Sequence, residues 1–326
     1  MAKPTITIIG LGLTGASLGL ALQRTESNFE VVGHDKNPEA TQAARKLGAV
    51  QRTEWNLHAA CAGASLIVLA VPLGELQALL THMREDLQPN TLVLTLVNVM
   101  QPALVLAEQQ LPGHTHFVVG HPVLSGIGGP LTARADLFEE TVFSLAPGGY
   151  TDPAAVQLAS DFVERLGAKP FFVDAQEHDG IIAAVEQMPH LLAAALVGLN
   201  TSAPGWREAR RLAGRPFAGA TELGSSAEAL FSTLQANRAN VLLRLDELQQ
   251  ALADWRELLL VTPSPDEKHP LLAALAQTVE ARQTWEAQAM FKRWEDMPTP
   301  TPTPAESRGM FRQMFFGNLM GKPKNK

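Results

Sequence analysis

The chain has 326 residues, 46% of them apolar and 18% charged, which suits about two globular domains and excludes collagen-like or wholly disordered chains. With 33 acidic against 26 basic residues the formal net charge is −7, so the chain as a whole repels phosphate and nucleic acid is not expected as a partner. One cysteine, Cys61, forms neither an internal disulfide nor a zinc spacing, as in a reducing cytoplasmic setting; no metal site, signal segment or membrane-length apolar stretch is read.

Through the first 175 residues, short β-branched or leucine-rich runs alternate with longer amphipathic segments. The runs are Thr5–Ile9, Glu30–Gly33, Leu66–Val71, Thr91–Thr95, Phe117–Val119, Thr141–Leu145 and Phe171–Val173. Several are apolar on both faces, as strands covered above and below by helices must be. The predicted fold is α/β: a Rossmann-type, doubly wound, mostly parallel sheet over residues 1–173. Long helical periods follow, so residues 174–297 are expected to form an all-helical domain, with Asp174 and Glu177 as a capping pair at its start. Val241, Leu245, Leu248, Leu252, Trp255 and Leu259 recur at spacings of 4 and 3, one seam of a helix that packs either within the domain or against a second copy of the chain. Residues 298–326 begin as a proline–threonine linker and end as a basic, flexible tail or docking segment.

Gly10-Leu11-Gly12-Leu13-Thr14-Gly15 follows the first strand and opens a helix, the context in which a G-x-G-x-x-G sequence binds a dinucleotide. Gly10 permits a tight turn, Gly12 lets backbone approach the pyrophosphate, and Gly15 allows close packing of helix on strand. The phosphates then rest on amides that the first helix leaves unpaired. Asp35 ends the second strand 20 residues after Gly15, where a carboxylate binds ribose hydroxyls and repels a 2′-phosphate. NAD is therefore expected over NADP, although Lys36 next to the acid is a cation that a phosphate could use.

His121, in Gly120-His121-Pro122, follows an apolar strand at the sheet edge where ligands of such folds bind, and a histidine there can share a proton near pH 7. It is either a catalytic group or part of a structural turn. Ser125 lies four residues on. In the first helix of the second domain, Asp179, Glu186 and His190 are spaced by 7 and 4 and share one face of a regular helix, either contacting a ligand or ordering the helix through a Glu186–His190 bond. Pro189 is expected to kink that helix. His34, His82, His114 and His116 read as surface residues.

In this order, the glycine loop, Val71-Pro72, His121-Pro122, Asp136-Leu137-Phe138-Glu139 and Glu177-His178-Asp179 with Met188-Pro189-His190 together resemble the prephenate and arogenate dehydrogenase family of tyrosine biosynthesis. The resemblance implies NAD(P)-dependent oxidative decarboxylation of a cyclohexadienyl acid and a helical domain that makes a homodimer. His121 would hold the ring hydroxyl while hydride leaves the same carbon. Val71 and Pro72 would border the cofactor, and Ser125, Glu186, Gln187 and His190 would line the substrate. Departures lie on the substrate side: the family's Asp-Val-Gly-Ser-Val-Lys reads Leu96-Val97-Asn98-Val99-Met100-Gln101 here, and its carboxylate-binding arginine falls at Thr221. Arg207, Arg210, Arg211 or Arg215 is the expected replacement, with Arg211 and Arg215 the leading candidates. Two alternatives follow: a related dehydrogenase acting on a different acid, or a non-catalytic NAD-binding relative.

Overall fold

The computed structural model describes residues 3–24, 28–124, 132–224, 226–263 and 268–291. It divides into two compact units whose boundary falls between Gln176 and Glu177, three residues beyond the predicted one. Ser125 and the 298–326 segment lie outside the described residues.

The first unit is built on eight strands: β1 (Thr5–Ile9), β2 (Glu30–His34), β3 (Arg52–Thr53), β4 (Ala64–Leu69), β5 (Leu92–Leu96), β6 (His116–Pro122), β7 (Val142–Pro147) and β8 (Lys169–Phe172). They form one sheet in the order β3-β2-β1-β4-β5-β6-β7-β8. Pairing is parallel throughout except between β6 and β7, so the last two strands run against the rest. All seven expected strands are present; the eighth, β3, is a two-residue Arg-Thr edge with no apolar run to announce it.

Alternation along the strands sends side chains into two separate cores. On one face Ile6, Ile8, Leu66, Val68, Leu92 and Leu94 meet Leu18 and Leu22 of α1 (Leu13–Leu22) and Phe162 of α6 (Pro153–Arg165). On the other, Ile9, Ile67, Leu69, Val93 and Val119 meet Leu76 and Leu80 of α4 (Leu73–Met83) and Ala103 of α5 (Gln101–Gln110). Each large side chain so buried contributes about 1.5–3 kcal/mol. Local polar chemistry sets the helix starts: Asn37 caps α2 (Pro38–Lys46), Asn56 caps α3 (Leu57–Cys61) and Asp152 caps α6, each accepting a backbone N–H two residues on. The Leu137-Phe138 pair reaches the first core, with Phe138 fully buried, and Arg134 N–H donates to Ser17 Oγ on α1 at 3.1 Å.

The second unit is helical. It holds most of α7 (Ala175–Ile182), then α8 (Met188–Thr201), α9 (Trp206–Ala209), α10 (Arg215–Ala220), α11 (Ala227–Ala236), α12 (Arg238–Leu260) and α13 (Pro270–Phe291). Asp174 caps α7 by accepting the Gln176 N–H at 2.9 Å. The turn before Pro189 is widened: Ala183–Gln187 is a π turn, and Met188 N–H reaches back five residues to the Ala183 carbonyl. Proline has no N–H and its ring crowds the carbonyl four residues earlier, and widening the ladder relieves both.

The continuous run Ala175–Thr201 is long and apolar enough, by length and composition, to cross a membrane, which corrects the sequence expectation. Its polar residues are nevertheless tied into the helical unit. Asn237, between α11 and α12, donates through Nδ2 to the Asp179 carbonyl and to Gln187 Oε1, both at 2.8 Å, and Gln187 Nε2 donates to the Thr233 carbonyl at 3.1 Å. Buried amides satisfied in this way belong to a packed helix bundle.

Candidate active site

At the end of β1 the chain reverses at Gly10, whose φ is +90° and whose N–H donates to the His34 carbonyl at 2.9 Å. A side chain there would meet the Ala70 carbonyl oxygen at 2.3 Å, and one at Gly15 would meet the Gly10 oxygen at 1.8 Å, so both positions require glycine to close helix on strand. Gly12 differs: a Cβ there would meet nothing within 4 Å, and its φ of −68° is open to any residue. The space in front of Gly12 is therefore not used by the protein itself. Gly12 is also the N-cap of α1, with no side-chain cap, and Leu13 and Thr14 form the first turn, half-buried. Unpaired amides facing open space are the donor set that fits a pyrophosphate.

Leu11 is 3% exposed and its side chain belongs to the core, but its N–H donates to Asp35 Oδ2 at 2.7 Å. The Asn37 N–H donates to the other oxygen, Oδ1, also at 2.7 Å. The acid just past β2 is thus fixed to the glycine loop. Together Gly10, Gly12, Asp35, Val71 and Pro72 border a cleft of about 240 Å³ at the carboxyl ends of β1, β2 and β4. β1 is flanked there by β2 and β4, the point where strand order reverses and open α/β sheets bind ligands.

Among the further residues that line this cleft, three are ionisable: His34, Lys36 and Glu75. His34 is no plain surface residue; its Nδ1 is 2.9 Å from the Glu54 carbonyl. The three others of that group also engage backbone, His114 with the Leu87 carbonyl, His116 with the Asp152 N–H and the exposed His82 of α4 with the Ala78 carbonyl. Glu75 was findable as the acid in the first turn of a helix starting directly after Val71-Pro72.

His121 lies near the carboxyl end of β6, half-exposed, opposite Ser144 of β7. β6 is three strands from β1 in the sheet, about 14 Å at the usual strand spacing, and runs in the same direction. The imidazole therefore belongs to the sheet edge that carries the nucleotide cleft, displaced toward the end opposite Asp35. Alternation puts it on the face of Phe117 and Val119. Val99, where the family carries serine, is fully buried in that same core.

The other candidates belong to the helical unit. Asp179 does not share an open face with Glu186 and His190: it is 2% exposed, with Oδ1 3.4 Å from His178 Nδ1, whereas the other two are half-buried. The π turn between them breaks the 3.6-residue period on which the expectation rested. Gln187 is 2% exposed, and its amide is bonded to Asn237 and to the Thr233 carbonyl. Thr221 Oγ1 donates to the Phe217 carbonyl at 2.7 Å, closing the end of α10. Arg207, Arg210, Arg211 and Arg215 are all exposed, and none has an acidic partner among the described residues.

The doubly wound sheet, the open glycine cradle and the anchored acid define a dinucleotide-binding oxidoreductase. Residues 18–171 match the family described as "Prephenate dehydrogenase, nucleotide-binding domain" and residues 174–277 match "Prephenate dehydrogenase, dimerization domain". The chain belongs to the prephenate dehydrogenase family. It is 29% identical over 249 residues to prephenate dehydrogenase of Bacillus subtilis, covering 75% of this chain and 67% of that one. It is 26% identical over 284 residues to cyclohexadienyl dehydrogenase of Zymomonas mobilis, covering 85% and 94%. Among solved structures, that of A. aeolicus prephenate dehydrogenase in complex with hydroxyphenyl propionate and NAD+ aligns with a TM-score of 0.77 at 21% identity, over 87% of this chain and 99% of that one. The first family match begins at residue 18, beyond the glycine loop, so the loop's role rests on its own geometry.

Proposed function

We propose that the protein catalyses the NAD-dependent oxidative decarboxylation of prephenate or arogenate in tyrosine biosynthesis. The observation that carries this is a histidine on the same sheet edge as an open glycine cradle with an anchored acid. Gly10, Gly12 and Gly15 shape the pyrophosphate seat, the Leu13 and Thr14 turn offers the amides, and Asp35 takes the ribose hydroxyls, with Val71 and Pro72 forming the opposite wall. Bound there, NAD supplies the hydride acceptor. His121 accepts the proton of the ring hydroxyl as the carbon beneath it loses hydride and gains carbonyl character. Breaking the bond to the ring carboxylate then releases carbon dioxide, its electron pair restores the aromatic ring as a phenolate, and His121 returns the proton to give the phenol. Arg211 or Arg215 is the proposed carboxylate partner in place of Thr221, since each is exposed with no acidic partner among the described residues and a charged bond of this kind is worth roughly 1.5–3 kcal/mol. Glu186, His190 and Ser125 complete the proposed substrate set.

The active form is proposed to be a homodimer joined through the helical unit and resident in the cytoplasm, with neither nucleic acid nor membrane as a partner. Exposed apolar side chains along α12 and α13 support the dimer, and the polar ties of Ala175–Thr201 to α11 and α12 support a helix packed in protein. The test is spectrophotometric. Purified protein given NAD with prephenate or arogenate should form NADH and a phenol; NAD binding without turnover on either acid would point to another substrate or a non-catalytic relative.

A further inference from the structure

Four ionisable side chains, His34, Asp35, Lys36 and Glu75, line one cleft where β2 and β4 end, and His34 Nδ1 is engaged by the Glu54 carbonyl. Reading that cleft as a dinucleotide seat, on which this inference rests, places the adenosine ribose beside them. Both Asp35 oxygens accept backbone N–H groups at 2.7 Å, so this negative charge is held in place. Lys36 alone would invite a 2′-phosphate, which carries nearly two negative charges at pH 7. Its Nζ, however, is 2.7 Å from Glu75 Oε1. Glu75 stands in the first turn of α4, where the helix dipole favours a carboxylate, and its N–H is bonded to the Pro72 carbonyl at 2.9 Å.

We propose that Glu75 is a specificity-determining residue: it engages Lys36 and sets a second carboxylate beside the ribose, so that the cleft rejects a 2′-phosphorylated dinucleotide. The attraction is withdrawn and a repulsion added by the same side chain, which is how discrimination is built against a competitor rather than for the chosen ligand. Lys36 and Glu75 are 76% and 42% exposed, which limits the pair to a modest effect.

Titration calorimetry of the full chain with NAD and with NADP, which differ only in the 2′-phosphate, tests this. Glu75→Gln should raise NADP affinity relative to NAD by about three- to tenfold. The double variant Lys36→Ala with Glu75→Gln should keep only the part of that gain that comes from removing the carboxylate. An unchanged ratio in Glu75→Gln, or a gain surviving in full without the lysine, overturns the proposal. Failure of the unmodified protein to bind either dinucleotide is a separate outcome, which removes the seat itself and the inference with it.

Discussion

In the nucleotide-binding unit both faces of the sheet are covered by helices, and Phe29, Phe138, Phe143 and Phe162 are at most 1% exposed, although Trp55 and Tyr150 stand on its surface. In the helical unit the buried apolar residues are few, among them Ile182, Ala183, Met188, Ala193 and Val241, while Leu252, Leu259 and Leu272 are 56%, 68% and 62% exposed. Along the predicted α12 seam only Val241 is buried; Leu245, Leu248 and Trp255 are half-covered. One unit closes on itself, whereas the other leaves apolar stripes that need a further surface. The contrast sets a unit covered by its own helices beside one with exposed apolar stripes, on which the proposed dimer rests.

The comparison can be broken most sharply at the chemistry. His121→Asn should lower turnover by ~10²–10⁴-fold with NAD affinity nearly unchanged, measured by steady-state kinetics beside calorimetry. A parallel loss of cofactor binding would make the histidine a structural part of the sheet edge. Next, Gly12→Ala should weaken NAD binding by ~tenfold or more while thermal stability stays within about 0.5 kcal/mol, because the added methyl enters only the phosphate space. A Gly12→Ala protein that binds normally would show that the cradle serves no ligand. On the helical side, Leu252→Lys combined with Leu259→Lys should weaken self-association at least ~tenfold in sedimentation and make the melting temperature less dependent on protein concentration. No change in association would assign the seam another role.

The smallest expected effect concerns Cys61, buried beneath the sheet, where desolvation first and Asp86 second push the thiol up to about 12 from 9.0. A folded-state value above the unfolded one gives stability that is complete below about pH 9 and lost as pH rises toward 12. Thermal unfolding of the native chain should therefore fall more steeply with alkaline pH than that of Cys61→Ala. The thiol should also resist modification at pH 8 until the protein unfolds.

Most of the first unit was legible because a strand covered on both faces must be apolar on both faces, and glycine spacing reports backbone approach directly. β3 escaped because two residues at a sheet edge need no apolar pattern. Asp35 could be placed by its distance from Gly15, whereas Glu75 comes from 39 residues beyond its partner Lys36, a meeting that only the fold brings about. In the helical unit the sequence was less informative, since Gln187 on an apolar helix looks the same whether it awaits a ligand or bonds Asn237. Membrane length was misjudged for a related reason: Ala175–Thr201 has few charges, and its buried polar residues are neutral amides or lie in a His178–Asp179 pair.

The wide turn at Ala183–Gln187 amounts to one surplus residue in an otherwise regular rod. Winding these same residues at the regular α pitch would swing everything after them by about 100°, the angle between successive helical positions. His190 would then point a quarter-circle away from its present bearing without any change to its own neighbours in the chain. The aim of that imidazole is thus set by a miscount of one, a few residues upstream.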